Sequence, residues 1–167
     1  MTELFFGNII MSMREFQKNN NIKNQCLTNA QYLYDALTEN KVKNDVKVQA
    51  CFVISLDRDV YIVGGHVVVM LDNVVLDPSF DVHSLNNKTY FENVNDFMKA
   101  LNKLKTDGVN INELKTDGIV GVKGVVSHHV QFVKYAEQMN RGVQVITERT
   151  FYDDQADHIE RLYNRVC

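Results

Sequence analysis

Hydrophobic spacing changes period along this chain, and the changes mark out its elements. Residues 3–18 set Leu4, Phe5, Ile9, Ile10, Met13 and Phe16 at helical spacing, which predicts an amphipathic helix. The asparagine-rich stretch from Asn19 to Asn24 interrupts it, because Asn favours turns and caps over helix interiors. A second helix is predicted over 26–39, with Leu27, Ala30, Leu33, Tyr34 and Leu37 on one face and Asn24 placed to cap it. The period then shortens. Val46 to Ile54 begins as an alternating run and reads as a strand. Val60 to Leu71 is apolar on both faces, as a covered central strand is. Asp72-Asn73 forms a two-residue turn signal, and Val74 to Asp77 returns as the partner strand. Pro78 stops it, since proline cannot donate to a ladder.

Beyond residue 90 the pattern is mostly helical. Val94, Phe97, Met98, Leu101 and Leu104 predict a helix over 93–105. Ser127 is placed to cap a helix reaching about Met139, and Asp153 or Asp154 one that runs through Leu162. Val143–Ile146 is a candidate short strand. The pentapeptide Leu104-Lys105-Thr106-Asp107-Gly108 recurs as Leu114-Lys115-Thr116-Asp117-Gly118, which reads as a repeated Asp-Gly turn rather than a solenoid. These elements define an α+β class: a small antiparallel sheet, a helix packed on it and a helical C-terminal half over about 90–167.

Composition narrows the picture without naming a chemistry. At 167 residues the chain is one domain's worth of sequence. Its 18 basic and 21 acidic residues leave a net charge of −3, which argues against a general nucleic-acid or anionic-membrane surface. No apolar run approaches the roughly 20 residues of a membrane span. The N-terminal segment has no basic n-region, so no signal peptide is expected. Cys26, Cys51 and Cys167 are an odd set with no paired spacing, a poor framework for disulfides or zinc. Free thiols and a cytoplasmic setting follow as the expectation. His128-His129, with His66 and His83, show no ligand-type spacing, so neither a metal nor any other cofactor is expected.

One order of residues carries chemistry. Cys26 opens a helix, His66 follows Gly64-Gly65 in a strand, and Asp77 ends the next strand. A helix N-terminus favours a thiolate, which is the nucleophilic form of cysteine. A thiol nucleophile needs a base, and the base needs a third group to orient it. The glycines leave room beside the imidazole for a neighbouring backbone or a substrate. If Asp72-Asn73 is a two-residue loop, Leu71 pairs with Val74, Val68 opposes Asp77 and His66 opposes Ser79. His66 and Asp77 then share a face as diagonal neighbours about 7–8 Å apart, within reach of a carboxylate–imidazole hydrogen bond. Cys51 lies mid-strand beside Phe52 and Val53 and reads as core, Cys167 as inert, and Tyr152, Asp153 and Asp154 as capping and surface charge. The Cys26 backbone N–H is a natural oxyanion donor, and the side chains of Gln25 and Gln49 are auxiliary candidates.

The segments Gln25-Cys26-Leu27-Thr28-Asn29-Ala30, Gly65-His66-Val67-Val68-Val69 and Val75-Leu76-Asp77-Pro78-Ser79 together resemble the Cys…His…Asp core of the transglutaminase-like branch of papain-like folds. The Gln-Cys-x-x-Asn-Ala start also resembles small proteins of bacteria and phages. The resemblance covers about residues 24–80 and departs from that core at Val68, where an aromatic is common. It implies thiol-dependent acyl chemistry on a peptide, protein or small amide: hydrolysis, deamidation or transfer. Two alternatives stand beside it: a non-catalytic binding or inhibitory protein on the same fold, and a small-molecule acyltransferase. Substrate, oligomeric state and the role of residues 81–167 are not legible at this level.

Overall fold

The computed structural model describes residues 3–39, 42–57, 60–80, 88–109, 115–116 and 121–146. Helix α1 spans Glu3–Asn19 and helix α2 Cys26–Glu39. Strands β1, β2 and β3 follow at Val46–Asp57, Val60–Leu71 and Val74–Leu76. Then come β4 at Lys88–Phe91, helix α3 at Val94–Thr106, β5 at Lys115–Thr116 and helix α4 at Gly121–Asn140. The class is α+β. The antiparallel strands run in the order β3-β2-β1-β4, and β5 lies parallel to β2.

The hairpin register follows from the turn. Asp72 takes the left-handed conformation at φ 53°, which Asp tolerates better than most residues. Leu71, Met70 and Val69 then pair with Val74, Val75 and Leu76, as a two-residue loop requires. β1 pairs with β2 along its whole length, from Val46 opposite Leu71 to Asp57 opposite Val60. Since β1 occupies one edge of β2, β3 and β5 must share the other. β3 ends opposite Val69 and β5 begins opposite Val63, so among the described residues no strand flanks Gly64–Val68 on that edge.

The helices collect on one face of the sheet. Val48 and Ala50 of β1 and Val67 and Val69 of β2 pack against Ile9 and Met13 of α1, Leu33 and Leu37 of α2, and Phe132 and Met139 of α4. A second cluster on the same face joins Phe52, Ile54 and Val63 to Phe97 and Leu101 of α3 and Val125 of α4. Cys51, Val53 and Val68 alternate to the opposite face, against Met70 and Tyr90.

Several sequence expectations are corrected here. The C-terminal half is not wholly helical, because β4 extends the sheet beside β1 and β5 adds to β2. Helix α4 starts at Gly121, so Ser127 is an interior, exposed position rather than a cap. Burial of Val125 in the second cluster outweighs the local capping preference of serine. Residues 143–146 form no strand; the Gln31 side chain of α2 takes the ladder's role, accepting from the Val145 and Ile146 amides and donating to the Ile146 carbonyl. The two pentapeptide copies also diverge. The first closes α3 in a turn with Gly108 at φ 95°, whereas Lys115–Thr116 of the second is strand. Asp117-Gly118, His83, Cys167 and the helix expected from Asp153 or Asp154, with Tyr152, lie outside the described residues.

Candidate active site

Helix α2 begins at Cys26. Gln25, not Asn24, holds the position before it, with its carbonyl accepting the first helical bond from the Asn29 amide at 2.9 Å. Asn24 lies one residue earlier in the left-handed conformation, at φ 58°, where it turns the chain instead of capping the helix. The Cys26 side chain is half-buried against the main core cluster.

His66 sits within the unflanked stretch of β2, on the face that alternation assigns to Val68. Its Nε2 lies 3.0 Å from Oδ1 and 3.0 Å from Oδ2 of Asp77. A ring nitrogen facing a carboxylate carries the proton, so Nε2–H donates and Nδ1 is left for another partner. The Cys26 thiol hydrogen-bonds to the imidazole. Since α2 packs on the other face, thiol and imidazole meet around the open edge of β2. The structure thus brings together Cys26, His66 and Asp77.

Asp77 falls one residue beyond β3 rather than inside it. Its carbonyl accepts from Arg14 Nε at 2.9 Å, and Pro78 has no N–H to give, so the ladder stops at Leu76. The carboxylate becomes a hub. Besides His66 it accepts from the Tyr90 hydroxyl at 2.7 Å and the Ser79 amide at 3.1 Å, and Lys88 Nζ stands 3.7 Å from Oδ2. Tyr90 also lies nearly parallel to the His66 ring, with centroids 6.5 Å apart. Two helices brace the segment behind. Gln17 of α1 donates to the Pro78 carbonyl at 2.6 Å and accepts from the Phe80 amide at 2.8 Å and from Asn29 Nδ2 at 3.0 Å. Asn29 of α2 also donates to Ser79 Oγ at 2.9 Å.

These contacts set the charge states. Burial opposes charge on His66, but the Asp77 carboxylate, its hydrogen bond and the contact with Cys26 outweigh it and hold the imidazole pKa well above its ordinary value. Burial likewise opposes charge on Asp77; the His66 charge and hydrogen bond, then Tyr90 and Lys88, reverse this and hold the carboxyl far below the usual carboxylate range. Burial, followed by the Asp77 charge, pushes the Tyr90 hydroxyl well above an ordinary tyrosine, so it remains a donor. Cys51 faces His66 across the β1–β2 pair, yet burial pushes its thiol up to about 12. It is core, as its setting predicts.

The auxiliary candidates do not join this network among the described residues. Gln25 is exposed and its Oε1 accepts from Thr28 within its own helix at 3.1 Å. Gln49 donates to the neighbouring Ala50 carbonyl at 2.9 Å. Gly65 makes room on the helix face instead: a Cβ there would stand 3.3 Å from the Phe132 ring of α4. His129 stacks on Phe52 at a centroid distance of 3.9 Å, and burial lowers its pKa. Among the described residues no group of three or more His, Cys, Asp or Glu is placed to hold a metal, and no helix is long and apolar enough to cross a membrane.

Sequence reasoning had no signal for Arg14, Gln17, Lys88 or Tyr90, which lie 63, 61 or 11–13 positions from the Asp77–Phe80 segment residues they serve. The alternation of β4 marks Lys88 and Tyr90 as sharing a face, but not which face or carboxylate they meet. Comparison of the chain with family models, curated protein sequences and solved structures finds no match.

Proposed function

We propose that Cys26, His66 and Asp77 form a nucleophilic triad for acyl chemistry on a transglutaminase-like, papain-like core. The observation that carries this reading is the two-sided engagement of His66, whose Nε2 is held by Asp77 while the ring contacts the thiol that opens α2. In the proposed reaction His66 takes the Cys26 proton, and the thiolate attacks the carbonyl carbon of a carboxamide. The oxyanion that forms is met by backbone N–H groups at the start of α2, among the donors a helix leaves unpaired in its first turn. His66 then gives its proton to the departing amine, leaving a thioester on Cys26. Water or a second amine attacks the thioester, His66 takes that proton, and the thiolate is restored. Asp77 keeps the ring oriented and offsets its positive charge.

A second reading has its own support. His66 is 1% exposed and Asp77 3%, a degree of burial that suits a structural pair in a binding or inhibitory protein. Iodoacetamide separates the two. Cys26 alkylation is followed across pH in the wild type and in His66→Ala, with Cys51 as an internal reference. An active triad makes Cys26 alkylate faster at neutral pH than a free thiol with a pKa near 8.5, and His66→Ala removes the advantage. A Cys26 that reacts like a free thiol in both proteins rules out the nucleophile.

A further inference from the structure

A cavity of about 660 Å³ opens between α1 and β3, a size typical of small-ligand sites. Ile10 and Met11 line it from α1, and Val75 and Leu76 from β3. Met11 is 67% exposed, a large apolar side chain held at the rim with little of it covered. The inner end is polar, closed by Arg14, Lys88 and the Asp77 segment. Cys26 and His66 are not among its walls.

The charges at the inner end do not balance. The Asp77 carboxylate already accepts from His66, Tyr90 and the Ser79 amide. Arg14 reaches only the Asp77 carbonyl with its Nε, and Lys88 stands 3.7 Å from a carboxylate oxygen that has nearer partners. Two cations thus converge where one carboxylate is shared with an imidazole. Asp72 is the other acidic residue of the lining, and its carboxylate oxygens accept from Asn44 and from the Asp45 amide. A guanidinium beside an apolar trough suits one ligand class, an anionic head on an apolar chain.

We infer that this cavity binds a small amphiphilic carboxylate, its head at Arg14 and Lys88 and its chain along Ile10, Met11, Val75 and Leu76. The site stands independently of the acyl chemistry at Cys26, and its test reads binding, not turnover. The full chain is titrated with decanoate, decanol and decyltrimethylammonium by calorimetry, with amide shifts locating the contact. Decanoate binds at one saturable site, decanol at least about tenfold more weakly, and the cation not at all. Gly7 also lines the cavity, and nothing lies within 4 Å of a Cβ built there. Gly7→Trp therefore fills the space and abolishes decanoate binding, while Arg14→Gln weakens decanoate but not decanol. Circular dichroism checks that each variant folds. If Gly7→Trp does not, Met11→Glu at the exposed rim repels the anion and serves in its place. Equal binding of decanoate and decanol overturns the charge assignment. No saturable binding, or binding undiminished by the folded blocking variant, overturns the site.

Discussion

Asp77 shows how much one side chain can organise. Its carboxylate orients the imidazole of His66, draws the Tyr90 hydroxyl from β4 and lies beside the Lys88 ammonium. The Tyr90 bond is short and charge-assisted, so its loss is felt. Tyr90→Phe is expected to destabilise the fold by roughly 1.5–3 kcal/mol, the range for hydrogen bonds to charged groups. The same change removes one of the influences holding the Asp77 carboxyl down, so that carboxyl titrates at higher pH than in the wild type. Urea unfolding measures the first effect and carboxyl carbon NMR the second. Unchanged stability would mean that water replaces the phenol without loss. Cys26, His66 and Asp77 were legible from residue type and order alone. Tyr90 was not, since a tyrosine in a short alternating strand carries no mark of the carboxylate it meets.

At the level of elements, the site depends on where a strand stops. β3 has three residues, and β2 continues past it without a described neighbour over Gly64–Val68. The opening lets the start of α2 approach His66 from the helix side of the sheet. Gln17 and Asn29 then hold the chain after β3 in place, so α1 and α2 brace the segment that carries Asp77. Gln17→Ala leaves the Pro78 carbonyl, the Phe80 amide and the Asn29 side chain short of a partner in a buried setting. A loss of roughly 2–4 kcal/mol follows, with broadened His66 ring resonances as Asp77 loosens. Thermal unfolding and imidazole NMR check both, and sharp, unshifted His66 signals would show that Asn29 and Arg14 suffice. The hairpin register was readable because a two-residue turn leaves one choice of pairs. The start of α4 was not, because burial of Val125 against a distant cluster outranked a local capping residue.

For the whole molecule, the His66–Asp77 pair ties stability to pH in a defined window. The folded imidazole pKa is raised, so its contribution is complete below the unfolded value, about 6.5, and fades as pH rises through the folded one. The folded carboxyl pKa is depressed, so its contribution is complete above about 3.9 and is lost as pH falls through the folded value. Both act together between about pH 4 and 6.5. The stability advantage of the wild type over Asp77→Asn should peak there and decline on either side, as urea unfolding across pH measures; a flat difference would show that the pair is not charged.

The division between sequence and tertiary structure is physical. Hydrophobic period, turn chemistry and chain order belong to residues within a few positions of each other, and they determined α1, α2, the β2–β3 hairpin and the face shared by His66 and Asp77. Packing decided which helices share a face of the sheet, why Gly65 lies under Phe132, and which partners surround the Asp77 carboxylate. Those contacts join α1, α2, β2 and β4. They come into being only when the sheet closes, since burial and charge act between groups that the chain order keeps apart.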